Sequence, residues 1–263
     1  MCVGRLRGEG AARAMTADTN SLARLMTILA VPALWGAQAI AAEVDAAIVF
    51  AVDVSASIDP ATADLQREGH ATAISSPEVI AAITRNRAGC IAVTYVEWSS
   101  PGQMRSVVPW TSVCGHGDAQ AVASLIRENG DRGYGCEGFC GTSISFAINL
   151  AGLLLDKYVG NASTKIIDIS ANGTNNDGLP LHDSRQRAIA KGYTINAIAI
   201  PGMTRGVKYD LTQYFADNVI GGPGAFVIAP DTPDDYAAAL RRKLVTEIGL
   251  STKSITSELI AQE

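Results

Sequence analysis

Asp53, Ser55 and Ser57 stand at alternate positions directly after an apolar run, Ala46 to Val52. In extended backbone, alternate side chains point the same way, so one carboxylate and two hydroxyls converge just past the end of a strand. Oxygen ligands of this kind suit a hard divalent cation, Mg²⁺ foremost, which keeps part of its water shell. Ser and Asp are also preferred helix N-caps, and Asp59-Pro60 reads as a cap followed by proline at the first helical position. The metal and capping readings therefore compete for Ser55, Ser57 and Asp59.

The elements that must position these side chains follow from periodicity. The run Ala46 to Val52 reads as a strand buried on both faces, in the middle of a sheet whose carboxyl-end crevice is where ligands bind. Pro60 to about Ile83 has helical period with a break at Ser75-Ser76-Pro77. Ile91 to Trp98 and Met104 to Trp110 read as strands joined through the Pro101-Gly102 turn, hence antiparallel. Further helices are expected over Asp118 to Asn129, from Thr142 to near Tyr158, over Asp183 to Lys191, over Asp210 to Asn218 and from Pro233 to about Ile248. Further strands are expected at Lys165 to Ser170, Thr194 to Ile200 and Ala225 to Ala229, with a turn cluster at Asn172 to Gly178. Strands alternating with helices predict a doubly wound α/β fold: a mostly parallel sheet of about six strands, one antiparallel edge strand, helices on both faces.

Within the 263 residues, Arg5, Arg7, Arg13 and Arg24 precede an apolar stretch from Leu25 to Ala37, and Ala39-Ile40-Ala41 has the small-x-small form of a cleavage site. This reads as a secretory signal peptide over residues 1–41, with Met15 an alternative start. One folded domain is expected over 44–248 and a polar tail over 249–263, with periplasmic or secreted localisation. No later stretch reaches the ~20 apolar residues of a membrane span. Without residues 1–42, seventeen basic side chains face twenty-four acidic ones, a net charge near −7. Such a balance speaks against nucleic acid and anionic membrane surfaces as partners. Export leaves Cys90, Cys114, Cys136 and Cys140, an even number in an oxidising compartment. They allow three pairings. A bridge from Cys114 to Cys136 or Cys140, in loops flanking one helix, is the expected one, with Cys90 a core residue.

This order resembles the von Willebrand factor A domain, whose metal ion-dependent adhesion site is built from three loops. Its D-x-S-x-S loop is matched by Asp53, Ser55 and Ser57, and its Gly-Thr at the head of a helix by Gly141-Thr142. Its Asp-Gly after the fourth strand is met here by Asn172-Gly173. The resemblance implies strand order 3-2-1-4-5-6 over roughly 44–248. It also implies a cation (Mg²⁺, or Mn²⁺ or Ca²⁺) held by Asp53, Ser55, Ser57, Thr142 and Asn172, with a protein partner supplying an acidic side chain to complete the coordination. Glu97-Trp98-Ser99, Val108-Pro109-Trp110-Thr111, Asp168-Ile169-Ser170 and the segment Val219 to Phe226 are similar to a bacterial secreted subfamily of this fold, a domain of unknown function. Asn172 removes one negative charge from the site, which weakens a hard-cation centre. Asp168 compensates only if its side chain reaches the crevice; Thr142 can alternatively serve as an N-cap.

The leading expectation is therefore a metal-dependent protein-binding module and not an enzyme. The alternatives are a metal-assisted hydrolase using the same crevice, with Glu97 as general base, and a degenerate A domain that binds partners without metal. No nucleophile elbow and no phosphate-cradling loop is present in the sequence.

Overall fold

The computed structural model describes residues 43–136, 138–200 and 210–260, with the side chains of 251–260 excepted. The expected signal peptide, and Cys2 within it, lie outside the described residues. The sheet has six strands in the order β3-β2-β1-β4-β5-β6. These are β1 Glu43–Asp53, β2 Ile91–Trp98, β3 Met104–Val113, β4 Asn161–Ala171, β5 Thr194–Ala199 and β6 Val227–Ile228. Only β2 and β3 pair antiparallel; the other neighbours run parallel.

The helices are α1 Pro60–Ile74, α2 Pro77–Thr84, α3 His116–Asn129, α4 Ile144–Asp156, α5 Leu181–Ala190, α6 Leu211–Asn218 and α7 Tyr236–Ile260. They divide the core in two. Ala46, Ile48, Phe50 and Val52 of β1 pack with side chains of α1, α2, α3 and α7. Ala47, Val49 and Ala51 pack with those of α4, α5 and α6. An unbroken apolar run is thus what period-two alternation demands of a strand covered on both faces. The edge strand β3 carries Pro109 and a register shift opposite Val93 to Val96. Both blunt an edge against further pairing.

Several boundaries differ from the sequence expectation, most of all in the last two elements. The last strand shortens to Val227–Ile228, because Asn196 Oδ1 takes the Phe226 amide that would have extended the ladder. The last helix begins after a 3₁₀ turn, Pro233–Asp235, and continues to Ile260 rather than stopping near Ile248, since no proline interrupts it.

The cysteines pair as Cys90–Cys114 and Cys136–Cys140, not as the bridge from Cys114 to the 136–140 loop. The antiparallel register explains the first: Ile91 faces Val113, which brings the next residues outward, Cys90 and Cys114, opposite each other. Cys90 is therefore a bridge residue and not a plain core residue.

Candidate functional site

The capping competition is resolved in the geometry. Asp59 Oδ1 accepts a hydrogen bond from the Thr62 amide at 2.8 Å, with Pro60 opening α1, so Asp59 is the N-cap and Ser55 and Ser57 are left for other work. Likewise Ser143, not Thr142, caps α4, its hydroxyl accepting from the Phe146 amide. The N-cap reading of Thr142 is corrected: the helix begins two residues later, and the Thr142 hydroxyl points to the first loop.

All five residues picked from the sequence meet in one hydrogen-bonded cluster at the carboxyl ends of β1 and β4. Ser55 Oγ lies 2.9 Å from Thr142 Oγ1 and 3.4 Å from Ser57 Oγ. Ser57 Oγ donates to Asn172 Oδ1 at 2.7 Å, and Asn172 Nδ2 donates back to the Ser57 carbonyl at 3.1 Å. The Ser55 amide donates to Asp53 Oδ1 at 2.8 Å. β1 and β4 are neighbours at the place where strand order reverses, the crevice in which doubly wound sheets bind ligands.

Burial grades the cluster from inside to outside. Asp53, Ser55 and Thr142 are buried, Asn172 is half-buried and Ser57 is exposed. Asp53 Oδ2 is buried with no hydrogen-bond partner among the described residues. Burial raises the Asp53 carboxyl to about 6, and the Ser55 hydroxyl and amide, with a weaker pull from the Asn172 backbone, bring it only partway back. An orphaned, desolvated carboxylate oxygen is costly unless a positive charge reaches it. The donor set of one carboxylate, three hydroxyls and one amide is all hard oxygen, and so fits Mg²⁺ or Ca²⁺ chemistry. The set carries only one negative charge, and among the described residues no three His, Cys, Asp or Glu side chains gather as a metal cluster.

Asp168 does not reach this crevice. It lies buried in β4, with Oδ1 2.6 Å from Lys243 Nζ of α7, and offers no compensation for Asn172. Glu97 is also buried and engaged, paired with Arg105 and accepting the Asp131 amide at 2.6 Å. Burial raises its carboxyl, against the pull of that amide and of Arg105. It borders a groove of about 870 Å³ that also takes in Val54, Arg105, Asp131 and Tyr134. The loop closed by Cys136–Cys140 adjoins the first site loop, since the Ala56 amide donates to the Cys140 carbonyl at 3.3 Å.

Several supporting residues carried no signal of their own. Asn176 Oδ1 accepts the Thr142 amide at 2.8 Å and Asn175 Oδ1 the Ser145 amide at 2.9 Å, so the turn after Asn172 holds the start of α4 in place. Gln66 Nε2 donates to the Asp53 carbonyl at 2.9 Å from within α1. Gly141 permits this approach: a Cβ there would stand 2.6 Å from Asp177 Cβ. The asparagines were visible only as turn formers, because their partners lie some thirty residues earlier, just before and within the first turn of α4.

Comparison with known proteins agrees with this architecture. Residues 43–252 match the family described as Protein of unknown function (DUF1194). No curated protein matches the sequence. Among solved structures, the pilus adhesin SpaC of Lactobacillus rhamnosus GG aligns at 15% identity and TM-score 0.55, covering 79% of this chain and 31% of that one. Proximal thread matrix protein 1 of the mussel byssus, with a zinc-occupied MIDAS motif, aligns at 16% identity and TM-score 0.53, covering 78% and 48%. The vWF domain of the type V pili tip protein Mfa5 from Porphyromonas gingivalis aligns at 11% identity and TM-score 0.53, covering 80% and 96%. The chain thus spans less than half the length of the first two proteins. At these identities the likeness speaks for the fold alone, which is that of a von Willebrand factor A domain.

Proposed function

From a chain that belongs to the DUF1194 family of proteins of unknown function, and that has the von Willebrand factor A fold, we propose a metal-dependent protein-binding module of the periplasm or cell exterior. The cation, Mg²⁺ foremost, is held by Asp53, Ser55, Ser57, Thr142 and Asn172. When bound, it supplies the positive charge that draws a carboxylate from a protein partner into the crevice. The protein's own part is to keep the Asp53 carboxyl dry, to hold three hydroxyls converged without committing them to helix caps, and to leave the crevice open on the Ser57 and Asn172 side.

The observation that carries this reading is Asp53 Oδ2, buried and unpartnered on the one carboxylate of a cluster otherwise made of hydroxyls and an amide. The adhesin and pilus-tip character of the structural relatives, and the zinc-occupied motif in one of them, support the same direction. The hydrolase reading loses its general base, since both oxygens of Glu97 are already engaged.

Calorimetry with Mg²⁺ and with Mn²⁺ on the wild type and on Asp53→Ala tests the proposal. The wild type is expected to bind and the variant to show no heat. Equal binding by both proteins removes the site assignment, and no binding by the wild type leaves the metal-free A domain in its place.

A further inference from the structure

Asn172 is followed by Gly173, and this pair stands inside the cluster and not on an unrelated turn. The Asn172 carboxamide faces the site, with its oxygen receiving the Ser57 hydroxyl at 2.7 Å and its nitrogen donating to the Ser57 carbonyl at 3.1 Å. The Gly173 backbone N–H makes no hydrogen bond among the described residues. With no side chain on Gly173, nothing crowds the approach of that nitrogen to the carboxamide carbon of the residue before it.

We propose that Asn172-Gly173 is a self-converting position: spontaneous deamidation changes the one neutral amide of the cation site into a carboxylate and so strengthens the site. The Gly173 nitrogen attacks Asn172 Cγ, and a carbon–nitrogen bond forms to close a five-membered imide. The proton from that nitrogen leaves with the carboxamide nitrogen as ammonia. Water then opens the imide at one of its two carbonyls, giving aspartate or isoaspartate at position 172. The Ser57 hydroxyl, donating to Oδ1, withdraws electron density from Cγ and makes it the better electrophile. No oxidant or enzyme is required, only water.

The consequence for the site, which rests on the cation reading above, follows from the same two contacts. In the aspartate form an oxygen replaces Nδ2 opposite the Ser57 carbonyl, so two acceptors face each other where a donor and an acceptor stood. Without a cation that pair repels. With one, the site offers two carboxylates instead of one, and hard-cation affinity rises with ligand charge. Conversion therefore lowers the metal-free stability and raises the cation-bound stability, a combination that a change of surface charge alone would not produce.

The test uses the full oxidised chain, fresh and after ageing in mildly alkaline buffer, with the acidic form separated by anion exchange and position 172 assigned by peptide mass mapping. Asn172→Asp serves as the pure aspartate reference. Gly173→Ala should convert several-fold more slowly; the added Cβ would sit 3.4 Å from Thr142 Oγ1, an ordinary contact, so the fold is retained. Asn172→Gln should not convert. By calorimetry the aspartate form should bind Mg²⁺ about tenfold or more tightly than the amide form. Absence of conversion in folded wild type, over a time in which urea-unfolded chain converts, overturns the inference and leaves the cation reading untouched. Conversion with equal Mg²⁺ affinity in both forms also overturns it. If neither form nor Asn172→Asp binds Mg²⁺ or Mn²⁺, it is the cation reading that fails, and the strengthening proposed here fails with it.

Discussion

Ser55 Oγ and Thr142 Oγ1 lie 2.9 Å apart across 87 residues of chain, both buried, joining the end of β1 to the segment that leads into α4. Each hydroxyl is set free by a neighbour that does the capping, Asp59 for α1 and Ser143 for α4. A hydroxyl pair held this way has two oxygens with lone pairs left over, which is what an incoming hard cation uses.

Thr142→Val keeps the branched shape and removes the oxygen. Mg²⁺ binding should weaken by about tenfold or more, near 1.4 kcal/mol. Stability should fall by about 1–2 kcal/mol, because Ser55 loses its buried partner. Thr142→Ser should restore binding. Calorimetry and urea unfolding on the three proteins measure both effects; binding unchanged in Thr142→Val would remove Thr142 from the site.

His70 provides a pH signature apart from the site. It is fully buried among Phe50, Tyr95 and Tyr236, with Nδ1 2.8 Å from the Gln66 carbonyl. Burial pushes its pKa down to about 4, from 6.5. The unfolded chain therefore binds more protons between those values, and stability is present above pH 6.5 and lost as pH falls toward 4. The loss approaches about 3 kcal/mol. His70→Phe should flatten that part of the profile, read as the difference between variant and wild-type unfolding free energies from pH 7 to pH 4. Parallel profiles would mean that His70 does not carry the acid sensitivity.

Much of this was legible because it depends on local spacing. The apolar run of β1 places Asp53 at a strand end, and Asp59-Pro60 carries a cap signature of its own. The extended backbone expected through Ser57 is not found, because β1 stops at Asp53 and Ser55 to Ser57 turn, with the Ser55 amide bonded back to Asp53 Oδ1. What depends on register or on loop-to-loop packing was not legible. Cys90 meets Cys114 because Ile91 pairs with Val113, a register set partly by the irregularity near Tyr95. Asn175 and Asn176 bond to amides of Thr142 and Ser145, and nothing in a turn sequence names such a partner. Lys243 and Glu247 sit four apart in a helix, a spacing that ordinarily marks a solvated face, yet both are fully buried.

The disulfide pattern predicts a specific peptide map. Non-reducing digestion of oxidised protein should yield Cys90 linked to Cys114 and Cys136 linked to Cys140, with no alkylated thiol among the four. Replacing Cys90 and Cys114 together with Ser should cost about 3 kcal/mol, as expected for opening a loop of this size. Recovery of a peptide linking Cys114 to Cys136 or Cys140 would refute the pairing and the register behind it.

Lys243 ties α7 to the sheet through charge. Its Nζ lies 2.6 Å from Asp168 Oδ1 of β4 and pairs with Glu247 one turn on, all three side chains buried. Burial opposes the charged form of Lys243, but Asp168 and Glu247 together hold its pKa above the ordinary value. Burial and the Asp168 charge hold Glu247 high, against the pull of Lys243 and of Asn196, whose Nδ2 donates to it at 2.8 Å. Removing the cation alone should therefore be far worse than removing the whole set. Lys243→Met should cost about 3–5 kcal/mol at pH 7, since it strands two carboxylates in the core. The loss should shrink toward pH 5, because Glu247 then regains neutrality by protonation and a carboxyl raised in the folded state loses stability as pH rises. The triple variant Lys243→Met, Asp168→Asn, Glu247→Gln should recover most of the loss and lose its pH dependence. Urea unfolding of the single and triple variants at both pH values decides. An equal loss in the two would mean that Lys243 contributes packing and not charge.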